Sequence, residues 1–95
     1  MTADTGALSA IKAERWRLSL EGTSFVRADG DYERVSIPEP DGDVLRDLLV
    51  SEHAATGIEI GLAYGASALA IAEALVSTHG TDARHVVIDL SLIHI

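Results

Sequence analysis

Cysteine is absent from the 95 residues. That excludes disulfides and thiolate metal sites and agrees with a reducing compartment. Lysine is nearly absent: Lys12 stands alone, and with 15 Asp and Glu against 7 Lys and Arg the formal net charge is -8. Arg15, Arg27 and Arg34 are scattered and form no basic stripe. An acidic surface of this kind repels phosphate backbones, so nucleic acid and anionic membrane are not expected partners. Long apolar runs are missing too. The longest uncharged stretch, Ile60 to Ala72, is too short to span a bilayer and is closed by Glu73. The opening MTADTGALSAIKAERW has no basic region followed by an apolar block, so we expect no signal peptide and a cytoplasmic location. Aromatics make up only 4% although apolar residues reach 47%. The core must therefore come from Ala, Leu, Ile and Val, which suits helices packed on a sheet.

The length allows at most one small domain, and no internal repeat or low-complexity block interrupts it. Ala7 to Leu20 has helical spacing, with Leu8, Ile11, Arg15 and Leu18 on one stripe and Trp16 and Leu20 on a neighbouring one; Glu21-Gly22 ends it. Trp16 is expected as a core anchor. Ser24 to Arg27 and Tyr32 to Ile37 are short extended candidates around ADGD (28–31), compatible with a hairpin. In IPEPDGD (37–43), two prolines and a glycine argue against regular structure. Asp41 or Asp43 can then cap a helix whose Val44, Leu45, Leu48 and Leu49 share a face, closed by Ala54 to Gly57. A short buried strand over 57–61, a helix over 66–77 that is apolar nearly all round, a loop over 78–83 and a strand over 84–89 complete a βαβ unit with parallel strands.

The chemistry concentrates at IEIGLAYGAS (58–67), where a strand meets an alanine-rich helix. Ligands of open parallel sheets bind beyond the carboxyl ends of the strands. Gly61 permits a tight turn there, Ala63 and Gly65 keep side chains out of the way, and the helix start at Ala66-Ser67 offers N–H groups to an anionic group. A dinucleotide fits poorly. Ala63 stands where the second glycine of G-x-G-x-x-G admits a pyrophosphate, and Glu59 would repel one. The carboxylate suits a ligand carrying an ammonium, directly or through water. S-adenosylmethionine has an ammonium, a carboxylate, a sulfonium and an adenosine, and no phosphate. Asp89, ending the second strand, is placed to accept hydrogen bonds from two ribose hydroxyls. Acids in that role commonly lie about 20 residues past the glycine motif, and the loop around His79-Gly80 accounts for the longer gap here.

The segment 59–65 followed by ASALAIAEAL (66–75) resembles motif I of class I S-adenosylmethionine-dependent methyltransferases, in the E-x-G-x-x-x-G-x-S form of the catechol-type O-methyltransferase-like branch. HVVID (85–89) resembles the second strand of that fold with its terminal acid. VSIPEP (35–40) and LRDLL (45–49) look like the branch's lead-in. The resemblance implies an α/β chain: the N-terminal part of a Rossmann-like fold with a mostly parallel sheet. Residues 1–56 would be a helical lead-in packed beside the cofactor site, and 57–89 the first, incomplete βαβ unit. It implies that Glu59 lies near the methionyl ammonium and that Gly61, Ala63, Tyr64 and Gly65 form the loop under the cofactor. Ser67 would touch the methionyl end and Asp89 would hold the ribose. Ala63 departs from the pattern, since many class I members have glycine there. The implied activity is in-line methyl transfer from the sulfonium to a small-molecule acceptor, with much of the rate supplied by positioning and desolvation. The general base, and the divalent metal that catechol-type members use, would belong to strands after Asp89. On this reading the chain supplies part of the cofactor site and is inactive alone.

Plainer readings stand beside these. Gly61 and Gly65 could make an ordinary strand-to-helix turn, Glu59 could be a solvated strand end, Asp89 a turn former, and Tyr64 loop packing. His53, His79, His85 and His94 share no metal-ligand spacing and read as surface or loop residues. The Asp-Gly-Asp runs at 29–31 and 41–43 do not continue into a calcium loop. LSLIHI (90–95) is what CTGTCTCTTATACACATC encodes, a string that resembles the transposase adapter end of sequencing libraries. We therefore expect a non-native tail there and a longer natural protein. Two other functions remain open: an NAD(P)-dependent oxidoreductase fragment and a non-catalytic Rossmann-like half-domain.

Overall fold

The computed structural model describes residues 5–22 and 35–89. The order is α1 (Thr5–Glu21), α2 (Glu39–Ser51), β1 (Thr56–Ile60), α3 (Ala66–His79), a 3-10 turn (Gly80–Asp82) and β2 (Arg84–Ile88). The architecture is α/β, with β1 and β2 paired in parallel from Thr56↔Arg84 to Ile60↔Ile88. α3 is the hub and packs on α1, α2 and the sheet. Its alanines allow this, because small side chains let neighbours approach on more than one stripe. Ala70 and Glu73 turn toward α1 and α2, while Ile71 and Ser67 turn toward the sheet. No described helix is long and apolar enough to cross a membrane.

Among the described residues the apolar core is small and centred on α3, with Leu18, Ala70, Ala74 and Leu75 buried. An ionic network also ties α1 and α2 to α3. Glu73, 6% exposed, takes Arg15 at 2.9 Å on one oxygen and Arg46 at 3.2 Å on the other. Asp43 also accepts from both, at 3.0 and 3.2 Å, and Arg15 donates to the Glu39 carbonyl. Arg46 is held above the ordinary arginine pKa, first by its hydrogen bond to Asp47, with Glu73 and Asp43 adding. Gly42 makes room for this network. A Cβ there would sit 2.7 Å from the Arg15 guanidinium and 3.5 Å from Ala70.

Several expectations need correction. The 37–43 segment is not irregular: α2 begins at Glu39 with Pro38 as its N-cap and Pro40 in its first turn, and neither Asp41 nor Asp43 caps it. Prolines cause no loss there, because first-turn N–H groups have no intrahelical acceptor. The anticipated apolar face of α2 is split. Leu45 and Leu49 are half-buried, while Val44 and Leu48 point outward. Trp16 is no core anchor, being 62% exposed; it lies about 100° around the helix from the inward Arg15. α3 runs to His79, so the 78–83 loop is shorter than anticipated. Residues 35–37 are not in a strand, and the remainder of the hairpin reading lies outside the described residues.

α2 also ends differently. The His53 N–H donates to the Val50 carbonyl and the Ala54 N–H to that of Leu49, with His53 at φ 55. These are the two bonds of a Schellman cap, with histidine where glycine is usual. β1, expected as a buried strand, is covered on one face only. Gly57 and Glu59 face inward, while Ile58 and Ile60 are 72% and 82% exposed. The reason is that α3 lies on a single side of the two-stranded sheet.

Candidate functional site

β1 delivers the chain to the 61–65 loop, and the loop is fixed by main-chain bonds. The Gly61 N–H donates to the Ile88 carbonyl at 2.7 Å, prolonging the parallel ladder. The Leu62 N–H donates to the Asp89 carboxylate at 3.1 Å, and the Gly65 N–H closes a turn onto the Leu62 carbonyl at 2.8 Å. Left-handed backbone recurs at alternate residues: Gly61 at φ 88, Ala63 at φ 49 and Gly65 at φ 87. The first and last suit glycine. Ala63 carries a left-handed penalty of roughly 1–2 kcal/mol. A Cβ on Gly61 would meet nothing within 4 Å, so the loop presents bare, open backbone there. Gly65 is the N-cap of α3, and no side chain caps that end.

Glu59 lies beneath this loop, on the sheet face toward α3. One carboxylate oxygen accepts the Ser67 hydroxyl, so the carboxylate joins the end of β1 to the first turn of α3. The other oxygen lies 3.1 Å from Nε2 of His85 on β2. Both side chains are largely covered, 15% and 12% exposed. Nδ1 of His85 is buried without a partner, and a Cβ on Gly57, its register partner, would stand 2.5 Å away. The glycine therefore leaves the space that the imidazole fills.

The residues anticipated from sequence thus fall into linked sets. Glu59 and Ser67 are in direct contact; Gly61, Ala63, Tyr64 and Gly65 form the loop; and Asp89 braces that loop through Leu62. Asp89 is more than a turn former on its own strand, because its carboxylate reaches the neighbouring strand's exit. His85 is the residue that sequence reading missed. It is neither loop nor surface, but a strand residue paired with Glu59. The signal was available in the period-2 pattern: parallel register places His85 opposite Gly57, two residues before Glu59 on the same face. His79, by contrast, lies 2.9 Å from the His53 carbonyl at the far end of α3.

Beside the start of α3, the lead-in leaves a shallow open groove that includes Arg15, Leu18, Ile37, Pro38, Gly42 and Ala66. The lead-in therefore reaches the end of α3 where the loop emerges. Among the described residues, no group of three or more His, Asp or Glu could hold a metal ion. No family model, curated protein or solved structure matches the chain.

Proposed function

We propose that this chain forms the cofactor-binding front of a class I, Rossmann-like S-adenosylmethionine-dependent methyltransferase acting on a small-molecule acceptor. The observation that carries this reading is the convergence of two carboxylates on one bare loop. Glu59 is tied to the loop's helix end through Ser67, and Asp89 to its strand end through Leu62. A ligand over Gly61 would meet open backbone at that residue, with the Glu59 and Asp89 carboxylates tied to the two ends of the loop. That environment suits a cation with vicinal hydroxyls and opposes a pyrophosphate. Bound S-adenosylmethionine would supply a methyl group made electrophilic by its sulfonium. The chain's own part is to bind and orient. Glu59 would attract the ammonium, the first-turn N–H groups of α3 would receive the methionyl carboxylate, and Asp89 would accept from the ribose.

Calorimetric titration of the chain with S-adenosylmethionine and with NAD tests the reading. Binding of the first and not the second is expected. The reverse result would replace the methyltransferase with a nicotinamide-dependent oxidoreductase, and binding of neither would favour a non-catalytic module.

A further inference from the structure

We propose that His85 is a positioning residue for Glu59: it holds the carboxylate as a hydrogen-bond donor that carries no charge, so that the site keeps its negative charge for a ligand ammonium. The inference rests on the methyl-donor reading above and adds the device that sets its selectivity for a cation.

The argument starts from proton positions. An ionised carboxylate can only accept, so Nε2 of His85, 3.1 Å from Glu59, is the donor. The other ring nitrogen is enclosed and has no partner. A proton there would be a buried N–H without an acceptor, an arrangement that folded proteins avoid more strictly than an unused acceptor lone pair. The geometry therefore selects the singly protonated ring with its hydrogen on Nε2. Ser67 supplies the second donor, also neutral. Glu59 is thus fixed between β1, β2 and α3 by two uncharged groups. A carboxylate has about four acceptor directions, so two such bonds leave capacity for an ammonium. A lysine or arginine donating to Glu59 would instead cancel its charge. Gly57 belongs to the device because any side chain there would collide with the ring. Arg15 and Arg46 are paired with Glu73 and Asp43 in the lead-in network.

The test compares a probe with the charged methionyl portion and one without it. S-adenosylmethionine carries the ammonium, the carboxylate and the sulfonium; 5′-methylthioadenosine keeps the adenosine as an uncharged thioether. Each is titrated into the full chain and into His85→Leu and His85→Gln. In His85→Leu, S-adenosylmethionine should bind about tenfold more weakly while 5′-methylthioadenosine is unchanged; His85→Gln, which keeps an uncharged N–H donor, should recover most of the loss. Equal weakening of both probes would assign His85 a structural role only. Unchanged S-adenosylmethionine affinity in His85→Leu would overturn the proposal and leave the methyltransferase reading intact. If the unsubstituted chain binds neither probe, that reading fails and this one falls with it. A second measurement needs no variant. Long-range nitrogen–proton NMR of the His85 ring at neutral pH should show hydrogen on Nε2 alone, and hydrogen on Nδ1 would overturn the assignment.

Discussion

The two faces of the β1–β2 sheet have opposite characters. The face covered by α3 carries Gly57, Glu59 and His85, a polar pair set into a glycine gap. The uncovered face carries Ile58, Ile60, Val86 and Ile88, all exposed. Beyond α3 polar pairing continues, since Arg15, Arg46, Glu73 and Asp43 link α1, α2 and α3. Among the described residues, ion pairs join the three helices while much β-branched surface lies bare. Arg15 and Glu73 are both largely buried, and a buried pair is costly to break because the charge left behind is stranded.

The largest expected effect follows from that. Glu73→Ala leaves two guanidinium groups short of their shared carboxylate. Loss of one member of a buried pair costs roughly 3–5 kcal/mol, so urea unfolding should show a correspondingly lower midpoint. The comparison sharpens with Arg15→Met/Glu73→Leu. Replacing both charges by apolar groups of similar volume is often neutral or stabilising. If the double variant keeps the stability that the single variant loses, the cost comes from the stranded guanidinium and not from a net attraction that fastens the helices.

At the loop, Gly61→Ala should cost about 1–2 kcal/mol through its left-handed backbone. No neighbour lies within 4 Å of the new methyl. Any loss of S-adenosylmethionine affinity beyond that fold penalty therefore reports a ligand occupying the open space. His53→Gly works in the opposite direction. At φ 55 in the α2 cap, glycine should raise stability by about 1 kcal/mol, read as a higher melting temperature. A decrease would mean that the His53 side chain contributes something that its cap geometry does not reveal.

How far the sequence foretold this depends on how local each cause is. Helical spacing and alanine content placed α1 and α3, because those preferences act over a few residues. The loop from Gly61 to Gly65 and the flanking Glu59 and Asp89 were legible for the same reason. Pro38 and Pro40 misled, since a proline's effect depends on whether it falls in the first turn or later. Arg15 and Glu73 are 58 residues apart in sequence, and no local pattern announces that they will meet. His85 escaped notice as one histidine among four, although strand alternation and the parallel register put it on the face of Glu59. Trp16 was read by its size, but the azimuth of its helix position decides its exposure.

The smallest expected effect concerns the bare face and tests the contrast most directly. Ile58 and Ile60 flank Glu59 in sequence, yet their side chains leave the opposite side of the sheet. If that side meets only solvent, Ile58→Lys and Ile60→Lys remove no packing. Surface substitutions of that kind stay within about 0.5 kcal/mol, and the urea midpoint should not move. Solubility should rise, because lysine discourages edge pairing and breaks an exposed apolar patch. Glu59→Leu, between them, would exchange the paired carboxylate for an apolar group and strand the Nε2 donor of His85, so it should lower the midpoint measurably. Should the lysines instead destabilise by several kcal/mol, the face is covered in solution, and sedimentation of the two variants against the unsubstituted chain would show whether a second copy covers it.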